Sequence, residues 1–288
     1  MSETLNNNAG WWLVLIIWGD RYEDHHCNQL IESAYTYSST IQGVVVLSDR
    51  SDRNIDDRAS VVPIPSDFNT SEYKGGGYPI KICLFDIEAI PNDALCLYVD
   101  LDSAIISDLS ELLRLPTKKT LWTIDVFPQR FSKLKRLVNR WTNGSTYQVG
   151  NSSAFLFRNQ FPGNPTQQFR DLVANKQLPR KLLHDDRFIA WSCQQIIRGF
   201  PPHLVSYFRI EFLAPTLWLA YLKSFTYHRR RRKIAILTFA GSKTKLEQLN
   251  ALGNDDVIVD HHQRKGKWND SYTSGLKSRV SRSTSSNS

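Results

Sequence analysis

Two aspartates one residue apart, Asp100 and Asp102, follow directly on the apolar run Leu95–Val99 (LCLYV). Such a short apolar run reads as a buried strand. Residues two apart in extended chain point the same way, so both carboxylates can reach one site. The carboxyl ends of strands are where open α/β sheets bind ligands. Paired carboxylates suit a hard divalent cation, Mg²⁺ or Mn²⁺. That ion can complete its shell with diphosphate oxygens and neutralise charge on a departing diphosphate. The competing reading is a solvated turn whose acids cap a helix. The strand before the triplet and the apolar pair Ile105–Ile106 after it weigh against that reading.

Other side chains have chemistry of their own. Lys243 lies just past Gly241. A glycine-containing loop lets backbone approach a phosphate, and lysine adds a point charge. Lys81 has a similar reading, and Asp125 ends a second apolar run (LWTID). His25 and His26 are adjacent on a predicted helix, so they face different ways and read as a solvated pair rather than metal ligands.

The elements that must position these groups alternate. Trp11–Trp18 is a predicted first strand, Asp24–Tyr37 a helix, and Val44–Leu47 a second strand; β–α–β order implies a parallel pair with a right-handed crossover. Val61–Pro65 is a predicted edge strand limited by its prolines. Lys74–Pro79 is a flexible loop, and Ile80–Ile87 a helix. Leu95–Val99 and Leu121–Asp125 are strands. Asp108–Leu115 is a short helix with Ser107 as its cap. Phe131–Trp141 is a basic amphipathic helix, Ala154–Phe157 a strand, Gln167–Ala174 and Asp186–Ile197 helices, and Lys233–Phe239 a last strand.

Charge and composition narrow the class. The hydrophobic fraction of 41% supports a real core, and the net charge of +8 favours anionic partners. That charge is concentrated in Arg229–Lys233 and in the segment from His262 to Ser288, which argues against nucleic-acid binding over the whole fold. The four cysteines show no CxxC spacing, so a zinc site is not expected; Cys83, Cys96 and Cys193 read as buried reduced thiols. The WWLVLIIW run is too short to span a bilayer, and no charged start of a secretory signal precedes it. A cytoplasmic chain is expected. The apolar, aromatic stretch Phe212–Leu222 before Arg229–Lys233 would also suit peripheral contact with an anionic membrane face, against a plainer reading as core packing followed by a solvated basic loop. The expected organisation is a flexible N-terminus (1–10), one α/β domain (11–261) and a disordered, basic, Ser-rich tail (262–288).

With these residues in view, Leu97–Ser103 (LYVDLDS) resembles the metal-binding motif of glycosyltransferase family 8 and related bacterial nucleotide-sugar transferases with the GT-A fold. Other segments fall in matching order: Trp18–Tyr22, Val46–Asp49, Gly76–Phe85, Leu121–Asp125, Val149–Phe157 and Asp185–Asp186. The resemblance covers roughly residues 11 to 245. It implies a mostly parallel central sheet flanked by helices. It implies Asp100 and Asp102 as metal ligands, with Asp102 in direct contact and Asp100 acting through water or the donor ribose. Asp20 and Tyr22 would meet base and ribose. Asn151, Ser152 and Asp186 would face the donor sugar, Asp125 the sugar or acceptor, and Lys81 and Lys243 the diphosphate. Two departures stand out. The late histidine that often supplies a third metal ligand is missing from Leu237–Lys243, where Thr238 offers a neutral oxygen, and Ser153 stands where glycine is usual.

The expected activity is transfer of a hexose from a nucleoside-diphosphate sugar, a UDP-sugar favoured, to a glycan or lipid-linked acceptor. The alternatives are a GT-A-like module that binds nucleotide sugar without turnover and, further off, a basic nucleic-acid-associated protein.

Overall fold

A computed structural model describes residues 10–70, 73, 79–125, 150–201, 203–209, 234–240, 257–259 and 265–267. The chain divides into two compact units. The first comprises Met1–Leu101 with Leu109–Pro201, the second Asp102–Asp108 with Pro202–Ser288.

The first unit is built on a seven-stranded sheet among the described residues. β1 (Trp11–Ile17), β2 (Ile41–Ser48) and β3 (Ala59–Pro63) are parallel to one another. β4 (Leu95–Val99) is parallel to β1. β7 (Gly150–Arg158) runs antiparallel to β4 and to β6 (Leu121–Asp125), and β8 (Ile197–Gly199) is parallel to β6. The order is β3-β2-β1-β4-β7-β6-β8. β3 ends in Pro63 at the sheet edge, where a missing N–H costs no ladder bond. Every residue of β4 is buried, as expected of a central strand covered on both faces.

α1 (Asp24–Tyr37) connects β1 to β2 and buries Cys27, Leu30, Ile31 and Ala34, one stripe at helical spacing. It also buries His26, contrary to the solvated-pair expectation. The His26 ring folds back over the helix start, where its Nδ1 accepts the Glu23 N–H at 3.1 Å. Burial first, and then His25, lower its pKa, which suits a ring that accepts.

The helix predicted over Ile80–Ile87 is a 3-10 helix, Pro79–Phe85. All seven of its residues are buried. Its carbonyls go to outside donors: Ile82 O accepts the Thr166 hydroxyl at 2.6 Å, and Phe85 O the Gln160 N–H at 3.1 Å. The fully buried Asn159 holds the stretch leading into β4, accepting from Ile87 N and donating to Ile87 O and Ile90 O.

Three further expectations are corrected. The short helix α2 (Ser110–Leu113) does not use Ser107 as a cap; that hydroxyl donates to Ile234 O at 2.7 Å. β7 begins at Gly150 rather than at Ala154, so Asn151–Ser153 belong to the strand. The last helix of the first unit, α4 (Asp185–Ser192), stops five residues earlier than expected and gives way to β8. α3 (Pro165–Ala174) starts on a proline and is capped by the Asn164 side chain, which accepts from Gln167 N at 3.0 Å. All four cysteines are free and buried in this unit. Burial pushes the thiols of Cys27, Cys96 and Cys193 up to about 12, and Cys83 further in the same direction.

The second unit carries a three-stranded sheet in the order β5-β10-β9, with β5 (Ser103–Ile105), β9 (Val205–Arg209) and β10 (Ile236–Ala240). β10 is antiparallel to β5 and parallel to β9. β11 (Val257–Val259) pairs antiparallel with β12 (Lys265–Lys267), so a short strand lies within the segment expected to be disordered. No helix among the described residues is long and apolar enough to cross a membrane.

Candidate active site

In the first unit, β4 delivers Asp100 to the sheet's carboxyl edge. The Asp100 N–H donates to Ser153 O at 2.8 Å, continuing the pairing of Val99 with Ala154. Both Asp100 carboxylate oxygens lie 2.7 Å from Lys81 Nζ. Tyr98 OH donates to Asp100 Oδ1. Tyr98 is two residues back on the same strand, hence on the same face. Lys81 is buried in the 3-10 helix, and its Nζ stands 4.0 Å from Asp185 Oδ2. One ammonium thus serves two carboxylates.

Ser152 of β7 ties in the rest. Its N–H donates to Asp186 Oδ1 at 2.5 Å, and its hydroxyl donates to Asp185 Oδ2 at 2.6 Å. Asp185 Oδ1 accepts the Asp186 N–H at 2.8 Å and lies 3.0 Å from His184 Nδ1. Burial first, and then the charge of Asp185, push the Asp186 carboxyl up to about 7. The hydrogen bond to Asp185, ahead of other effects, raises the His184 pKa. The Asn151 side chain folds back to accept Ser153 N–H at 2.9 Å. Gly150 permits β6 and β7 to meet here: a Cβ on it would fall 2.6 Å from Thr123 Cγ2.

These contacts decide which expectations converge. Lys81, Asp100, Ser152 and Asp186 form one connected network. Asn151 adjoins it in β7, but its side-chain oxygen is turned to its own strand. Asp125 ends β6, and its side chain lies outside the described residues, as does all of Lys243. The expected basic helix Phe131–Trp141 and the Phe212–Lys233 region lie outside them too. Asp20 and Tyr22 are in a different place. They line an open cleft of about 510 Å³ together with Asp24, His25, Arg50 and Arg53.

Arg53, its side chain only 2% exposed, organises that cleft. It donates to Ser48 Oγ (3.1 Å), Asp24 Oδ1 (3.1 Å), Gly19 O (2.9 Å) and Asp49 Oδ1 (3.3 Å). Gly19 N–H donates to Asp49 Oδ2 at 3.0 Å, so the peptide flanks of Gly19 are held by an acid and a guanidinium. Gly19 has φ +59°, a conformation that a side chain would strain. Arg53 has no periodic or motif signal in the sequence. Tyr98 had one, its two-residue spacing from Asp100.

Two sets of side chains bear on metal binding. In the first unit, ligand atoms of His184, Asp185 and Asp186 lie within 4.8 Å of one another, a group that can hold a metal ion. In the second unit, Asp102 enters β5, and the buried hydroxyls of Ser103 and Thr238 have no hydrogen-bond partner among the described residues. The Asp102 carboxylate is an oxygen donor of the kind that fits Mg²⁺ or Mn²⁺.

No protein-family model matches the chain, and no curated protein matches it significantly. Several solved structures superpose on it in part. The apo structure of the bifunctional glycosyltransferase WbbM superposes with a TM-score of 0.51 at 11% identity, over 84% of this chain and 47% of that one. The glycosyltransferase GlyE of Streptococcus pneumoniae TIGR4 gives 0.46 at 13% identity, over 82% and 55%. The galactosyltransferase LgtC, in complex with donor and acceptor sugar analogs, gives 0.46 at 14% identity, over 80% and 87%. The chain spans about half the length of the first two. The likeness to WbbM gives the fold: α/β of the GT-A type, with a mostly parallel central sheet flanked by helices.

Proposed function

We propose that this chain is a glycosyltransferase that moves a hexose from a nucleoside-diphosphate sugar, a UDP-sugar first among the candidates, to a glycan or lipid-linked acceptor. The observation that carries the reading is the network at the carboxyl end of β4. Asp100 at the end of β4, Ser152 of β7, Lys81 of the 3-10 helix and Asp185 and Asp186 of α4 converge at the edge where open α/β sheets take ligands. Structural kinship with glycosyltransferases supports it.

In this reading Asp102 holds a divalent ion, which when bound neutralises charge developing on the diphosphate. Asp20 and Tyr22, in the open cleft, receive base and ribose. Lys81 holds Asp100 in place for the donor, and Asp186, fixed by Ser152, orients sugar hydroxyls. Catalysis then rests on positioning and electrostatics supplied by prearranged groups. The chain works in the cytoplasm, with its basic segments against an anionic membrane face when the acceptor is lipid-linked.

The test is release of nucleoside diphosphate by purified protein from a panel of UDP- and GDP-sugars, with and without Mn²⁺. Metal-dependent release that disappears in Asp102→Ala, with the fold retained by circular dichroism, is the expected result. Nucleotide binding with no release from any donor would leave a binding module in place of an enzyme. Absence of any nucleotide binding would overturn the reading.

A further inference from the structure

Asp185 and Asp186 are consecutive acids at the start of α4, yet the fold treats them differently. Asp185 is 3% exposed, and both of its oxygens are engaged. Its Oδ1 accepts the Asp186 N–H at 2.8 Å and lies 3.0 Å from His184 Nδ1. Its Oδ2 accepts the Ser152 hydroxyl at 2.6 Å and lies 4.0 Å from Lys81 Nζ. Asp186 is half-buried and held at one oxygen. Its Oδ1 accepts the Ser152 N–H at 2.5 Å, and its Oδ2 has no hydrogen-bond partner among the described residues.

Ser152 serves both acids because β7 is irregular there. The β6–β7 ladder pairs Thr123 with Phe155 and then Ile124 with Asn151, so Ser152, Ser153 and Ala154 have no opposite residue in β6. Bulges of this kind occur beside functional sites, where they re-aim side chains or end the pairing. In the gap, the Ser152 N–H donates to a carboxylate of α4 instead of to β6. One bulged residue thus fixes two acids through two atoms, its N–H for Asp186 and its hydroxyl for Asp185. Lys81, 2.7 Å from both Asp100 oxygens, ties Asp185 in turn to the end of β4.

We propose that Asp185 is a positioning residue. Held by Ser152 and Lys81, it sets the first turn of α4 so that the unengaged Oδ2 of Asp186 accepts a hydroxyl of the donor sugar. A carboxylate whose oxygens already face donors has little left for a ligand, whereas an ionised one with an oxygen to spare makes a strong acceptor. The proposal rests on the transferase reading above for the sugar; the division of labour between the two acids is the new element. Ser152 then acts on the sugar only through the acids it holds.

The experiment compares UDP affinity by calorimetry with UDP release from UDP-glucose and UDP-galactose, in Mn²⁺, for the full chain and its variants. Asp185→Asn keeps the side chain's size but can no longer accept at both positions. It is expected to lower kcat at least about tenfold, the size of one lost hydrogen bond to a charged group, and to leave UDP affinity within about twofold. Asp186→Asn, at the acid that touches the sugar, is expected to lose at least as much. Ser152→Ala removes the hydroxyl on Asp185 and leaves the N–H on Asp186. Its loss and that of Asp185→Asn are expected not to add in the double variant, since both break one bond. Should Asp185→Asn not fold, Ser152→Ala carries the test alone, with kcat lowered and UDP affinity kept. UDP affinity and turnover that fall together, or losses that add, would make Asp185 merely structural and overturn the proposal. Parental kcat in Asp185→Asn, with loss in Asp186→Asn, would overturn it and leave glycosyl transfer standing. No UDP release by the parent chain would overturn the transferase reading and the proposal with it.

Discussion

The buried polar side chains of the two units live in opposite conditions. In the first unit, Asp100, Asp185 and Asp186 are met by Lys81, Tyr98, Ser152 and His184, so that each acid has at least one donor or cation within reach. In the second, the chain continues through Asp102 into a ladder where two hydroxyls have no partner among the described residues. A saturated network is organised before any ligand arrives and is sensitive to the loss of one member. An undersatisfied one carries a cost that a ligand can relieve.

The comparison breaks most visibly at Lys81. Lys81→Met leaves Asp100 and Asp185 facing each other without their shared cation. Removing one partner of a buried pair costs about 3 kcal/mol, and the side chains of Lys81 and Asp100 are only 10% and 16% exposed. Urea unfolding is expected to show a loss of that order, with much of it recovered in Lys81→Met/Asp100→Asn; equal losses in the single and double variants would mean that the pair is not the source.

Next in size is a pH effect confined to the first unit. The folded Asp186 carboxyl sits at about 7, above the ordinary value near 4. Folding therefore favours its protonated form. The stability it contributes is complete below about pH 4 and is lost as pH rises through 7. The expected fall between pH 4 and 7 is about 2 kcal/mol, smaller than an isolated shift of that size would give because Asp185 and His184 titrate with it. His184, also raised, acts in the same sense above its ordinary value of about 6.5. Asp186→Asn is expected to flatten the dependence; an unchanged slope would place its origin elsewhere.

Arg53→Lys comes third. Lysine cannot reproduce the fork that reaches Ser48, Asp24, Gly19 and Asp49 at once. A loss of about 1.5 kcal/mol is expected, with weaker UDP binding by calorimetry, since the Gly19 peptide no longer fixes Asp20. Parental UDP affinity would detach the cleft from nucleotide recognition. The smallest effect has the opposite sign. Thr238→Val, in the unit with spare hydroxyls, is expected to change stability by less than about 1 kcal/mol, and upward. A loss as large as that of Lys81→Met would erase the contrast between the units.

What could be read beforehand was what depends on local pattern. α1 falls on Asp24–Tyr37, and β4 and β6 on the apolar runs that foretold them. Their periods and lengths are written in neighbouring residues. The helix expected over Ile80–Ile87 is present, but its 3-10 form was not legible, because its carbonyls are satisfied by Thr166 and Gln160, residues far along the chain. Asp100 and Asp186 were legible as acids at element ends. Their partnership through Lys81 and Ser152 was not, since it depends on β7 lying antiparallel beside β4. Arg53 was missed for the same reason: its four acceptors come from three separate elements.

The four cysteines have a practical consequence. Only the thiolate reacts with a disulfide reagent. Burial and thiol values of about 12 keep Cys27, Cys96 and Cys193 silent at neutral pH, and Cys83 more so. All four belong to the first unit. Labelling in native buffer is thus a clock that starts only when that unit opens, and it keeps no time for the strands that carry Ser103 and Thr238.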